Sequence, residues 1–123
     1  GSGQLTKIIN QICIAGLIQG LSEAIYFMKQ TDLDPDDVLD VISSGAAQSW
    51  QMENRFKTMF DNEFDFGFAV DLMRKDLSIT FDQAKEYGID LEITKIVDDF
   101  YSEIQKMGGN KHDTSSLVKR LIF

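Results

Sequence analysis

Three polar side chains near the amino terminus have the types and the spacing that acid–base chemistry needs. Lys7, Asn10 and Gln11 follow one another at intervals of three and one, so they share one face of any helix that contains them. A helix amino terminus carries partial positive charge and free N–H donors, which suits an anionic group such as a carboxylate. A lysine is electrostatically misplaced there, which favours release of its proton and suits a general acid or base. The spacing also fits an ordinary solvated lysine, with Gly1-Ser2-Gly3 left from cloning.

The helix that would carry these residues spans most of the first 30 positions. From Leu5 onward apolar residues nearly encircle it, which is typical of a helix buried in a larger body or in a membrane. Polar side chains at Gln11, Gln19, Ser22 and Glu23 interrupt the run of about 20 apolar residues that a membrane span requires. The sequence therefore predicts a central helix on which shorter helices pack, no membrane partner, and apolar surface left for a protein partner.

The remainder of the chain predicts shorter helices and no strand. Capping residues and glycines place these helices at about 35–43, 46–59, 68–87 or 69–87, and 92–107, with a short last one starting at 113 or 114. Apolar residues recur at helical spacing, and no stretch alternates convincingly with a period of two. The predicted fold class is therefore all-α, with about six helices packed on the long first one.

Several apolar side chains are expected to face the core. The inward candidates are Ala46, Trp50 and Phe56 in the third helix, and Ile93, Ile96, Val97, Phe100, Ile104 and Met107 in the fifth. The connection 61–68 carries three phenylalanines among acidic residues. Leaving those rings in water would be costly, so we expect them to be pinned against the body of the domain.

Composition excludes several functions. The 123 residues suffice for one domain, and a net charge of −8 argues against binding a phosphate backbone. Cys13 is the only cysteine, so no intrachain disulfide can form, and without a visible signal peptide a cytoplasmic location is expected. His112 has no histidine or cysteine partner, so no metal site is predicted. The acidic run 32–37 lacks the glycine and glutamate of a calcium loop.

One family resemblance covers essentially the whole chain. The run G-S-G-Q-L-T-K-I-I-N-Q, followed by G-L-S-E-A-I, resembles the start of the C-terminal helical domain of the β-hydroxyacid dehydrogenases. This family includes 3-hydroxyisobutyrate dehydrogenase and tartronate semialdehyde reductase. Its motif G-x-G-x-x-x-K-x-x-N-[NQ] is matched here by Gly1, Gly3, Lys7, Asn10 and Gln11. The resemblance continues through S-S-G-A-A-Q-S-W and F-A-V-D-L-M-R-K-D-L, and corresponds to about the second half of a typical member.

The resemblance implies a function and roles for individual residues. It implies a fold like the C-terminal domain of 6-phosphogluconate dehydrogenase, in an NAD(P)-dependent oxidoreductase that interconverts a small 3-hydroxy acid and its semialdehyde. Lys7 would be the general acid and base, and Lys75 would contact the cofactor. The implied substrate-binding residues are Gly3, Asn10, Gln11, Trp50, Phe68 and Asp76. By pattern alone, Lys75 and Asp76 are an ordinary solvated pair, and Trp50 is equally well a core residue.

The glycine-rich turn that holds a dinucleotide does not occur in this sequence. No strand is followed by G-x-G-x-x-G. We therefore expect NAD or NADP to be bound mainly by an N-terminal Rossmann domain that this chain lacks, and the chain alone to be inactive. The surplus apolar surface predicts a homodimer or a higher homo-oligomer. Two alternatives remain: a non-catalytic helical dimerisation or interaction domain derived from the family, and an unrelated bundle with an accidental motif.

Overall fold

A computed structural model describes residues 1–122 as an all-α domain. Its elements are α1 Ser2–Met28, α2 Pro35–Ile42, α3 Trp50–Phe60, α4 Val70–Glu86, α5 Glu92–Lys106, a 3-10 helix Thr114–Val118 and α6 Lys119–Ile122. Over this part of the chain there is no strand, only an isolated antiparallel bridge between Ala69 and Asp113. The prediction of an all-α fold organised on a long first helix is confirmed.

The buried face of α1 is a narrow stripe with alternating spacings of three and four residues. Along it lie Ile8, Gln11, Ala15, Ile18, Ser22 and Ile25. This is the seam by which one helix packs against others, and α3, α4, α5 and the carboxy-terminal helices contact it. Ile9, Leu17 and Phe27 lie outside the stripe and are exposed. Only one side of this apolar helix is therefore covered by the domain.

By length and composition alone, α1 is apolar enough to cross a membrane, with a third of its most apolar window buried. The sequence prediction used the polar residues of α1 to exclude a membrane span, and its length and composition do not support that exclusion. The core helix of a soluble domain passes the same criterion. Here Ile18 and Ile25 are fully covered by the other helices, which is typical of such a core helix.

Local capping explains where the helices begin and end. The Asp34 side chain accepts the Asp36 N–H at 2.8 Å, which starts α2 where predicted. The α3 prediction was four residues too early, because the Ser49 hydroxyl accepts the Met52 N–H at 3.0 Å and starts the helix at Trp50. Ala46 consequently lies in an exposed turn. Trp50 is 58% exposed, so the inward predictions for both were wrong.

The buried face of α5 matches the prediction only in part, since Val97 and Ile104 are buried as expected. Its buried residues are Thr94, Val97, Tyr101 and Ile104. Ile93, Ile96 and Met107 were predicted to face the core, but all three are exposed. The helix is apolar on more than one side, and the contacts with α1 and α4 select the face that includes Thr94 and Tyr101.

The last predicted helix is two short ones. The five residues of the 3-10 helix are all buried, and the Asp113 side chain caps it by accepting the Ser115 N–H at 3.1 Å. This segment contacts α1, α3, α4 and α5. A tight 3-10 turn suits a short connector of this kind, and α6 follows it directly.

Candidate functional site

A cleft of about 200 Å³ separates the first turns of α1 from the middle of α4. Its lining residues are Gln4, Lys7, Ile8, Gln11, Asp76, Ile79 and Thr80. Lys7 and Gln11 come from successive turns of α1, and Asp76 faces them from α4. The cleft therefore joins residues that lie 65 or more positions apart in the sequence.

Asp76 links the polar groups of this cleft. The Lys7 Nζ lies 3.6 Å from Asp76 Oδ1, and the Gln11 Nε2 donates to Asp76 Oδ2 at 3.0 Å. The Asn10 Nδ2 donates in turn to Gln11 Oε1 at 2.9 Å. The other contact of Gln11 Nε2 is with the sulfur of Met73 at 3.7 Å. These contacts form a continuous polar chain from Asn10 to Lys7.

The two charged groups of the cleft differ in exposure. The Lys7 side chain is 63% exposed, whereas that of Asp76 is only 15% exposed. The carboxylate is thus held inside the domain while the ammonium group reaches solvent. Such a lysine can deliver a proton to a bound oxygen and remain anchored by its counter-charge. The amide of Asn10 is exposed beside it and offers donors to a carboxylate or hydroxyl group.

The structure does not bring every predicted residue to this cleft. Gly3 lies exposed in the first turn of α1, and Lys75 is exposed next to Asp76 on α4. Trp50 and Phe68 lie at the starts of α3 and α4. None of these four lines the cleft, and Asn10 is connected to it only through its bond to Gln11.

Trp50 belongs instead to a second cluster, built around Arg55 and Asp113, and the Phe68 N–H donates to that Asp113 at 2.9 Å. The Arg55 guanidinium lies 5.0 Å from the ring centres of both Trp50 and Phe66. It donates through Nε to Asp113 Oδ2 at 3.1 Å. Of the three phenylalanines in the 61–68 connection, Phe64 is buried as expected, whereas Phe66 and Phe68 stay more than a third exposed.

Sequence reasoning missed several residues of both clusters. Gln4, Ile79 and Thr80 line the cleft, and a helical spacing of three or four residues from Lys7 or Asp76 would have found them. Asp113 was expected only as a helix cap, which its bond from the Ser115 N–H confirms. Arg55 carries no local signal, because Asp113 is distant from it in the sequence. Across residues 1–122, no group of three or more His, Cys, Asp and Glu side chains is arranged to hold a metal ion.

The fold and the cleft define a helical domain that presents a lysine, a carboxylate and two amides at one end of its long helix. Residues 1–121 match the family described as NAD-binding of NADP-dependent 3-hydroxyisobutyrate dehydrogenase. The chain therefore belongs to this family of NAD(P)-dependent β-hydroxyacid dehydrogenases, and the resemblance inferred from the sequence is confirmed.

Individual relatives agree with this assignment. The chain is 60% identical over 121 residues to an uncharacterized oxidoreductase of Shewanella frigidimarina. It is 32% identical over 121 residues to 2-hydroxy-3-oxopropionate reductase of Escherichia coli. Each match covers 98% of this chain, but only 42% and 41% of the respective relative. The chain thus spans about two fifths of the length of these curated relatives.

Solved structures show the same relation. The crystal structure of 3-hydroxyisobutyrate dehydrogenase from Salmonella typhimurium superposes with a TM-score of 0.85 at 30% identity, over 98% of this chain and 42% of that chain. The Mycobacterium tuberculosis 3-hydroxyisobutyrate dehydrogenase superposes with a TM-score of 0.87 at 22% identity, over 98% and 44%. The second likeness shows the fold alone.

Proposed function

We propose that this chain is the helical domain of a dehydrogenase that interconverts a small 3-hydroxy acid and its semialdehyde. In this proposal Lys7 is the general acid and base. The observation that carries it is the cleft in which Lys7 and Gln11 meet Asp76 across two helices, in a chain of dehydrogenase ancestry. A merely solvated lysine has no need of a nearly buried carboxylate and amide beside it.

The residues of the cleft have different roles in the proposed reaction. In reduction, the Lys7 ammonium group gives a proton to the carbonyl oxygen as the alcohol forms, and in oxidation the neutral amine removes it. Asp76 holds the ammonium group in place. The Gln11 Nε2 is committed to Asp76 and Met73, so Gln11 orients Asp76. Asn10 uses one N–H on Gln11 and keeps a second for a substrate oxygen.

The cofactor in this proposal is NAD or NADP, which supplies or accepts the hydride. The described residues fit only the edge of a dinucleotide, since Lys75 is exposed and cationic but no strand precedes a glycine-rich turn in residues 1–122. We therefore propose that a preceding Rossmann domain binds most of the cofactor, with Lys75 reaching it. On this basis the 123-residue chain alone binds NADP weakly and is inactive. Tight binding in a titration would place the dinucleotide site within this domain.

Trp50 and Phe68 serve the outer part of the proposed substrate site. Phe68 lies two positions before the first residue of α4, and Asp76 lies six residues into that helix, about 9 Å along its axis. Neither aromatic side chain lines the cleft that holds Lys7. These exposed aromatic side chains would instead form the apolar wall that a full-length protein closes over, and Gly3 would leave room for the substrate at the helix start.

The test uses the full-length protein that contains this chain, assayed against 3-hydroxy acids and semialdehydes with both cofactors. Lys7→Ala should lower kcat by roughly 10²–10⁴-fold, the usual worth of general acid–base catalysis. Lys7→Arg should not restore it, because a guanidinium does not release its proton. Lys95→Ala is the matched control, since Lys95 is similarly exposed and pairs with Asp90 at 3.3 Å. Near-normal turnover of the arginine variant would refute the proton-transfer role.

A self-associating role is favoured by a separate observation. Outside the buried stripe, α1 exposes Ile9, Leu17 and Phe27, and apolar area of this kind is rarely left in water. We propose that the chain forms a homodimer or higher homo-oligomer through this face. Leu17→Glu should shift the chain toward monomer in sedimentation velocity at micromolar concentration. Ile93→Glu, on the exposed side of α5, should not. A monomeric wild-type chain would contradict the proposal.

If the full-length protein turned over no hydroxy acid yet self-associated through α1, the alternative of a non-catalytic interaction domain would replace the catalytic one. That outcome would leave the family assignment intact, because the assignment rests on the sequence match over residues 1–121 and not on activity.

A further inference from the structure

The buried carboxylate of Asp113 connects the second cluster, around Arg55, to the segment 112–115 near the carboxy terminus. Asp113 is 1% exposed. Its Oδ1 accepts the Phe68 N–H at 2.9 Å. Its Oδ2 accepts the Arg55 Nε–H at 3.1 Å, the Ser115 N–H at 3.1 Å and the Ser115 hydroxyl at 2.5 Å. Four donors therefore converge on one side chain, which suits a carboxylate because it only accepts hydrogen bonds.

The backbone around Phe68 is fixed on both sides by this segment. The Phe68 C=O accepts the Thr114 N–H at 2.9 Å, and the Val70 N–H donates to His112 O at 2.9 Å. With its own N–H held by Asp113, Phe68 has no free backbone hydrogen-bonding group. The direction in which its half-exposed ring leaves the domain is consequently set by the segment that Asp113 anchors.

Through Arg55, Asp113 also constrains the position of the Trp50 ring. The Arg55 guanidinium lies over the rings of Trp50 and Phe66, 5.0 Å from each centre. Such cation–π contacts are weak when exposed and depend on how well the cation is held. The bond from Arg55 Nε to Asp113 holds it, and Arg55 Nη1 donates to Asn54 O at 3.2 Å. Trp50 is thus connected to Asp113 through one intermediate side chain.

We infer that Asp113 is a positioning residue, which sets Phe68 directly and Trp50 through Arg55 for the binding of the hydroxy acid. This inference rests on the proposed function, because Phe68 and Trp50 are the aromatic side chains assigned there to the substrate wall. Asp113 itself touches no reacting atom. Replacing Asp113 by asparagine puts an amide N–H₂ group where a carboxylate oxygen accepted N–H donors. The bond from Phe68 or the bond from Arg55 is therefore lost.

The first experiment is independent of activity. Trp50 is the only tryptophan, so the fluorescence anisotropy of the 123-residue chain reports its mobility. Asp113→Asn and Arg55→Gln should both lower the anisotropy of Trp50. Ser115→Ala is the matched control, since it removes a buried hydroxyl bond to Asp113 but leaves the bonds to Arg55 and Phe68. Arg55 is only partly buried, so Arg55→Gln still tests the link to Trp50 if Asp113→Asn fails to fold. Unchanged anisotropy in Arg55→Gln would overturn the link to Trp50.

The second experiment measures binding in the full-length protein. Asp113→Asn should raise KM for the hydroxy acid on the order of 10-fold, which corresponds to about 1.4 kcal/mol of lost binding, with a smaller change in kcat and an unchanged pH profile. Ser115→Ala should keep the wild-type KM. A folded Asp113→Asn enzyme with wild-type KM would overturn the positioning role. If Lys7→Ala kept full turnover, the proposed function would fail, whereas the anisotropy result would still decide whether Asp113 fixes Trp50.

Discussion

Gly67 offers a direct measure of how rigidly Asp113 is held. Its φ is +71°, and a Cβ atom added there would lie 2.1 Å from Asp113 Oδ1 and 2.8 Å from Asp113 Cγ. Gly88 has nearly the same backbone conformation, with φ +69°, but a Cβ atom there would meet nothing within 4 Å. Alanine at Gly67 therefore adds a collision to the backbone strain that alanine suffers at either position.

The two contributions can be estimated separately. A left-handed backbone costs an L-residue roughly 1–2 kcal/mol, and both variants incur it. Relieving the collision requires the Asp113 side chain to move. Its four donors would then lose bonds whose absence costs about 1–3 kcal/mol when the groups are buried. Gly67→Ala should thus lower the free energy of unfolding by about 2–5 kcal/mol, and Gly88→Ala by about 1–2 kcal/mol.

Urea unfolding of the 123-residue chain, followed by circular dichroism and by the fluorescence of Trp50, measures both variants. A loss of the predicted size is a large part of the roughly 5–15 kcal/mol that stabilises a typical domain. Equal losses for the two alanine variants would refute the reasoning. They would mean that Asp113 moves aside at no cost and that its carboxylate does not hold the 61–68 connection rigidly.

Two further predictions concern the packing of α5. Arg74→Met removes paired bonds of 3.1 Å each to Asp98 and a bond of 3.0 Å to Gln105, both on α5. It should cost about 1 kcal/mol in urea unfolding because these groups are partly exposed. Lys95→Met, which breaks a pair whose side chains are both more than half exposed, should cost less than about 0.5 kcal/mol. Burial, with the nearby Asp113 carboxylate, raises the pKa of the Tyr101 phenol well above its ordinary value. The unfolded chain therefore loses this proton first, so stability is complete below about pH 10 and falls as the pH rises further. In thermal melts from about pH 8 to pH 11, Tyr101→Phe should reduce that alkaline fall, and an identical fall in both proteins would contradict it.

Helix boundaries were predictable wherever the signal is local. Asp34 with Pro35, and glycines with positive φ such as Gly88, mark helix ends through contacts within a few residues. The start of α3 was misplaced because two alanines, which favour helix, precede the true cap. Ser49 competes successfully by giving a side-chain acceptor to the Met52 N–H. A cap thus outweighed the propensity of the residues before it.

Burial along α1 could not be read from the sequence, because apolar residues surround this helix. The buried stripe includes the polar Gln11 and Ser22 and omits Ile9 and Phe27. Hydrogen bonds make this possible, one within α1 and one from α1 to α4. The Ser22 hydroxyl donates to Ile18 O at 2.8 Å, and the Gln11 amide donates to a side chain 65 residues away. Neither arrangement follows from hydrophobic periodicity.

The candidate site was only partly predictable for the same reason. Spacing placed Lys7, Asn10 and Gln11 on one side of a helix, but the family resemblance was needed to suggest Asp76 as a companion. For Asp113 only the helix-capping role was predicted, and its bonds to Arg55 and Phe68 were missed. Its donors come from α3, from the end of the 61–68 connection and from the 3-10 helix, so no window of sequence contains enough of it to be recognised.

Gln11 bears on the choice between a catalytic domain and a purely associative one. It occupies a core position of α1, between Ile8 and Ala15 on the buried stripe. An apolar residue there would pack against Met73 without needing a polar partner, and an amide left unpaired in such a place costs about 1–3 kcal/mol. The domain instead retains the amide and places against it a nearly buried carboxylate, whose remaining charge is met by Lys7. Departures of this kind from the rule of an apolar core are expected at functional sites. A domain that only associates through Ile9, Leu17 and Phe27 would gain nothing from the paired Gln11 and Asp76, because its contact residues lie outside the buried stripe.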